Sequence, residues 1–135
     1  MIEYTSSLEH ITEEIIEDGF FVGWPNPPSK KSHLKILKGS YCVWLAIDKN
    51  KVIGFITAVS DGVLSAYIPL LEVLPEYQNQ GIGSELVSRM LESLRHLYMI
   101  DLLCDEDLQK YYSKFKMVNA TGSLLRNYER QNCED

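Results

Sequence analysis

Hydrophobic and polar positions change period several times along the chain, and each change predicts an element. Residues 1–5, Met-Ile-Glu-Tyr-Thr, alternate apolar and polar and predict a short first strand. Ser6, three residues ahead of Glu9, has the form of a capping box and predicts a helix from there to about residues 16–20. Regular structure then breaks at Gly23-Trp24-Pro25-Asn26-Pro27-Pro28, where the prolines remove amide donors and restrict the residues before them. A second helix is predicted over 30–37. Alternation resumes over 41–47 and 52–59, joined by Asp48-Lys49-Asn50-Lys51, which predicts an antiparallel hairpin. A longer strand over 65–74 ends at Pro75. From Gly83 to about His96 the period becomes helical, with Leu86, Val87, Met90, Leu91, Leu94 and Leu97 on one face. An apolar strand over 99–104, a short helix over 108–114 and two weaker strands over 116–119 and 124–129 complete the prediction.

Between the strand and the most periodic helix lies Pro75-Glu76-Tyr77-Gln78-Asn79-Gln80-Gly81-Ile82-Gly83-Ser84, a turn with two glycines one residue apart. The first turn of a helix leaves its amides unpaired, and the macrodipole adds partial positive charge, so an anion such as phosphate is satisfied there. Glycines at 81 and 83 remove Cβ atoms that would obstruct its approach, and Ser84 adds a hydroxyl. A strand-to-helix turn that needs glycine only for its own geometry is the competing reading.

Composition narrows the function classes. At 135 residues the chain predicts one domain, 1–135, and 45% hydrophobic with 24% charged residues matches a water-soluble globular protein. No apolar run approaches the roughly 18 residues of a membrane span, and the acidic first nineteen residues do not resemble a signal peptide, so no membrane partner and a cytoplasmic location are expected. Cys42, Cys104 and Cys133 form no C-x-x-C pair, and His10, His33 and His96 are isolated, so no metal is expected. The net charge of -6 argues against nucleic acid and favours a cationic small molecule.

The order of elements resembles the GNAT superfamily of acyl-CoA-dependent N-acetyltransferases. Gln78-Asn79-Gln80-Gly81-Ile82-Gly83 is similar to that family's Q/R-x-x-G-x-G/A signature, and Tyr111-Tyr112-Ser113-Lys114 stands where the family has F-Y-x-K. Phe21-Val22-Gly23-Trp24-Pro25 and Ser60-Asp61-Gly62 resemble the arylalkylamine and serotonin N-acetyltransferase-like branch. Two positions depart from the pattern: Lys116-Met117 replaces G-F after the second motif, and Asp105 replaces a frequent asparagine. Without glycine at 116, the helix exit must accept left-handed strain or take another course.

The resemblance implies an α/β (α+β) fold, a mixed and mostly antiparallel sheet of about six to seven strands flanked by four helices. It implies acetyl-CoA as cosubstrate and acetyl transfer by direct attack of a primary amine. Backbone amides across Gln78, Asn79, Gln80, Gly81, Ile82, Gly83 and Ser84 would hold the pyrophosphate. Leu71, Glu72 and Val73 would pair with the pantetheine arm, with the Val73 amide on the thioester oxygen. Tyr112 would serve the departing sulfur, with a core aromatic beside Tyr111 as its other reading. An amine of pKa about 10.4 is neutral in only on the order of one molecule in a thousand at pH 7, so a base is useful. Glu72, Tyr67, Asp61 and Asp105 are candidates. Trp24 and Asp61 would rim the acceptor pocket, while Arg89, Lys110 and Lys114 could meet the adenosine phosphate. Oligomeric state stays open, with a homodimer as one option, and a CoA-binding sensor without catalysis is the runner-up function.

Overall fold

The computed structural model describes residues 1–134. Five strands form one sheet in the order β1-β2-β3-β4-β5: β1 Glu3–Thr5, β2 Cys42–Asp48, β3 Lys51–Ser60, β4 Ser65–Val73 and β5 Met99–Asp101. Neighbours are antiparallel except β4 and β5, which run parallel. The β2–β3 hairpin turns through Lys49 and Asn50, both with left-handed backbone (φ 50° and 62°), the turn geometry whose twist matches that of the flanking strands.

Three α-helices cover the sheet: α1 Lys30–Gly39, α2 Ile82–Ser93 and α3 Gln109–Ser113. On one face Ile82, Leu86, Val87, Met90 and Leu94 bury against Ala46, Ile56, Ala58, Ala66 and Ile68. On the other, Leu37 of α1 joins Ile11, Ile16 and Phe21 over Val43, Leu45, Val52 and Phe55. Each fully buried aliphatic or aromatic side chain contributes about 1.5–3 kcal/mol to holding these layers together.

The expected sheet of six to seven strands and set of four helices are corrected to five and three among the described residues. The first helix is not formed: residues 6–20 run irregularly, with one short 3-10 turn at Glu13–Ile15 and a bridge from Ile16 to Val52. Local side-chain bonds compete with helix there, since Thr5 Oγ1 accepts from the Ser7 amide (3.0 Å) and Ser7 Oγ from the Glu9 amide (3.2 Å). His10 adopts φ 69°, which ends any helical run. The last hairpin is also absent: 116–119 and 124–129 form no strands, and Val118, Leu124 and Leu125 are exposed.

One irregularity within the sheet matters for the site. Between Thr57 and Val59 of β3, two residue steps face three on β4, from Leu70 to Tyr67, so β4 carries a bulge. Ala66 and Ile68 lie on the α2 face, whereas Leu70 packs on the α1 face beside Phe55. By alternation on each side of the bulge, Tyr67 and Glu72 share the α1 face, although their odd separation would put them on opposite faces of a regular strand.

Candidate active site

The parallel pairing of β4 with β5 covers only Ser65, Ala66 and Tyr67, opposite Met99, Ile100 and Asp101. Beyond Tyr67 the sheet opens, and β4 has a neighbour on its β3 side alone. The Leu74 amide donates to the Ile53 carbonyl (2.9 Å), towards β3. Amides alternate along a strand, so those of Val73 and Leu71 face the open edge. The Val73 carbonyl, on that same edge, accepts from the Gln78 side-chain amide (3.0 Å), which ties the following turn to the strand end.

That turn brings bare backbone to the same place. Asn79 and Gly81 both take left-handed conformations (φ 64° and 82°), and no side chain caps the first turn of α2. A Cβ on Gly81 would meet nothing within 4 Å, so the space before the helix is open; at φ 82° glycine is also the unstrained choice. A Cβ on Gly83 would lie 3.5 Å from Tyr111 Oη and 3.8 Å from Val73 Cγ2, so turn, β4 and α3 converge at this residue. Ser84 Oγ lies 3.1 Å from Tyr111 Oη and accepts from Lys114 Nζ (3.0 Å), and the Lys114 ammonium sits 4.1 Å from the Tyr111 ring centre. Uncapped amides, two hydroxyls and one ammonium make a site for anionic oxygens. Tyr111 is the residue sequence reasoning passed over; its place in the Tyr-Tyr-Ser-Lys motif was the available signal.

Tyr112, next along α3, packs half-buried against the α2-side core and edge-on to Tyr111 at 5.0 Å. Burial, with smaller contributions from Tyr111 and Cys104, pushes its pKa up to about 12, and among the described residues its hydroxyl makes no hydrogen bond. Glu72, half-buried, accepts at Oε1 from the Phe21 amide (2.7 Å) and the Val22 amide (3.3 Å). Burial raises its pKa while those two amides pull it down. The same carboxylate therefore fixes the loop that carries Trp24, whose ring lies 4.9 Å from that of Phe21.

Other predicted residues fall elsewhere. Asp61 Oδ1 accepts from the amides of Val63 (2.9 Å), Leu64 (2.8 Å) and Ser65 (3.2 Å), bonds that hold its carboxyl below the usual range and shape the β3–β4 turn. It stands at the far end of β4 from the glycine turn, roughly 27 Å away along an extended strand. Asp105 is exposed at the start of a 3-10 turn. Arg89 binds Glu85 (2.8 Å) and lies over Tyr4 and Trp44, on the side of α2 towards β1 and β2. Lys116 does take the left-handed conformation, φ 68°, that glycine would occupy without strain. Among the described residues no group of three or more His, Cys, Asp or Glu side chains is placed to hold a metal, and no helix is long and apolar enough to cross a membrane.

Comparison with known proteins gives this geometry a family. The model of the acetyltransferase (GNAT) family matches residues 10–117. A candidate acetyltransferase of Deinococcus radiodurans R1 superimposes with a TM-score of 0.93 at 42% identity, covering 97% of this chain and 92% of that one. A GNAT family protein of Streptococcus pneumoniae TIGR4 does so with a TM-score of 0.70 at 28% identity, covering 94% and 98%. Among curated relatives, an uncharacterized N-acetyltransferase of Gracilaria tenuistipitata var. liui is 31% identical over 102 residues, 72% of this chain and 56% of its own length. The chain spans somewhat over half the length of such algal relatives (56–59%). With the family model running from the irregular N-terminal segment to just past α3, the chain belongs to the acetyltransferase (GNAT) family.

Proposed function

We propose that the protein transfers the acetyl group of acetyl-CoA to a primary amine by direct attack. The observation that carries this reading is the open edge of β4 beside the uncapped start of α2. The amides of Ile82, Gly83 and Ser84, with the Ser84 hydroxyl and Lys114, hold the pyrophosphate. The free β4 edge pairs with the amides of the pantetheine arm as an added strand would. Because the arm runs from the turn back along β4, it meets the Val73 amide before the Leu71 amide. This order moves the thioester oxygen from Val73 to Leu71, which donates to it as negative charge builds.

The amine enters from the α1 face, where Glu72 and Tyr67 project. Glu72 lies between the two donating residues, and burial raises its basicity, so it is the group that takes the amine proton as the C–N bond forms and the C–S bond breaks. Tyr112 hydrogen-bonds the departing sulfur. Burial pushes that phenol up to about 12, so it stays protonated and keeps its O–H to donate. It therefore stabilises the thiolate and leaves final protonation to solvent.

Two measurements test the reading in sequence. Acetyl-CoA at 100 times its dissociation constant should stabilise the fold by about 2.7 kcal/mol. A panel of arylalkylamines, polyamines and lysine peptides should then include one that releases CoA thiol. An unchanged melting curve contradicts the proposal; stabilisation with no thiol release from any amine leaves the sensor function instead.

A further inference from the structure

Phe21 holds a backbone that its side chain disfavours. Its φ is 62°, in the left-handed region, although its ring is buried and packs on Trp24, His33 and Phe55. For a bulky residue that conformation is unfavourable and persists only where the surroundings impose it. The hydrogen bonds show what it achieves. Successive amides of an extended chain point to opposite sides, whereas those of Phe21 (2.7 Å) and Val22 (3.3 Å) both donate to Oε1 of Glu72. A left-handed residue between them turns the two onto one oxygen, the geometry of a backbone nest. Gly23, also left-handed (φ 84°), lets the Trp24 amide return to the Phe21 carbonyl (3.1 Å) and close the turn.

The two oxygens of Glu72 are thereby made unequal. Oε1 is engaged twice, while Oε2 has no partner among the described residues. Nor is Oε2 sealed in: among the described residues, the buried side-chain nitrogen and oxygen atoms left without a partner are His33 Nε2 and Thr57 Oγ1. No cation pairs with this carboxylate among the described residues, and its cross-strand neighbour is Phe55. Two titratable groups share its face: Tyr67 on β4, and from α1 His33, which packs on Phe55 and whose pKa is lowered to about 4. A cation would position the carboxylate but lower its basicity strongly, whereas two neutral amides position it with less loss.

We propose that Phe21 is a positioning residue: its left-handed backbone aims Glu72, holding Oε1 on two amides so that Oε2 takes the proton of the attacking amine. This rests on the acetyltransferase reading above and specifies how its base is oriented. As the amine nitrogen bonds to the acetyl carbon, one N–H proton passes to Oε2 and the electron pair of the breaking C–S bond leaves with sulfur. Oε2 then returns that proton to solvent.

Amide-resolved NMR on the whole protein reads the contact directly. In the wild type the Phe21 and Val22 amide signals should titrate together, with a midpoint above the usual carboxylate range. In Glu72→Gln that titration should vanish while both amides stay protected from exchange, because the side-chain carbonyl takes the place of Oε1. In Glu72→Ala both should exchange about tenfold faster or more, the protection of one hydrogen bond being lost. With an amine that the wild type acetylates, Glu72→Gln should keep its acetyl-CoA affinity and lose about 100-fold in turnover, since the group left facing the amine accepts no proton. A loop anchor and nothing more would leave Glu72→Gln as active as the wild type, and that result would overturn the proposal. Phe21 and Val22 amides that do not follow the carboxylate would overturn it too. The wild type and Glu72→Gln decide the matter even if Glu72→Ala does not fold. Absence of thiol release from every amine in the wild type would strike the acetyltransferase reading, whereas the amide titration tests the aiming of Glu72 without turnover.

Discussion

The two long helices both begin after a proline-marked loop, yet they treat their first turns differently. At α1 the chain closes the helix start on itself: Ser29 Oγ accepts from the Ser32 amide (3.1 Å), Lys30 pairs with Asp18 (3.1 Å), and His33 is buried among Phe20, Phe21 and Phe55. At α2 the cap is a left-handed Gly81 with no side-chain bond, and polar groups from α3 gather around the turn. The α1 start is finished by its own residues and serves stability. The α2 start has no such closure, and in the proposed function a ligand completes it. A helix start without a cap, beside a strand edge without a partner, therefore carries more functional information than either feature alone.

The difference should appear first as pH dependence at α1. Burial pulls the His33 pKa down from 6.5 to about 4. Above about pH 6.5 the imidazole is neutral in both folded and unfolded chains, and its burial carries no pH-dependent penalty. As pH falls towards 4 the unfolded chain binds a proton that the fold refuses, so stability is lost through that window, by about 3 kcal/mol in all. Denaturant titrations between pH 7 and 4.5 should show this slope, and His33→Leu should flatten it. Acetyl-CoA binding at α2 should not depend on the imidazole.

At α2 the expected effect is on affinity. Gly83→Val adds a branched side chain at the convergence of turn, β4 and α3, and should weaken acetyl-CoA binding about 100-fold while the protein still melts cooperatively. An unchanged dissociation constant in the folded variant would make the turn purely structural. Tyr112→Phe should act on rate and leave acetyl-CoA affinity near wild type. On the proposed role, in which the phenol stabilises the thiolate and a water can partly replace it, single-turnover rates should fall towards the low end of the roughly 10²–10⁴-fold range for acid–base assistance. A wild-type rate with chemistry limiting would return Tyr112 to the role of core aromatic.

The smallest effect belongs to the finished helix. Ser29→Ala should cost about 1 kcal/mol of stability by removing the α1 cap, with no change in acetyl-CoA affinity. A loss of affinity in that variant would show that the two helix starts are coupled.

Much of this arrangement was legible in the sequence where the signal is local. The α2 face from Leu86 to Leu94 follows directly from helical periodicity, and the spacing of Gln78, Gly81 and Gly83 marks the turn. The strain expected at Lys116 in the absence of glycine is present as φ 68°. Features that depend on distant partners were not legible. Alternation cannot foresee that a bulge opposite Thr57 and Val59 brings Tyr67 to the face of Glu72. Nor can it foresee that Gln131 reaches back to Asn26, or that Glu72 spends one oxygen on Phe21 and Val22. The segment over 6–20 carried a convincing cap signal at Ser6, but bonds from Thr5 and Ser7 to nearby amides satisfied the backbone locally and His10 turned it away.

The central claim is that the α2 start and the open β4 edge together hold acetyl-CoA. An amide-resolved NMR titration of the protein with acetyl-CoA reads both at once, along with the α1 start as an internal reference. The account predicts the largest shifts at Leu71, Val73 and residues 81–84, slower exchange of the Leu71 and Val73 amides with solvent, and no comparable change at Ser32. Saturable binding whose shifts leave Ile82, Gly83 and Ser84 unmoved, or that centre on α1, would contradict it.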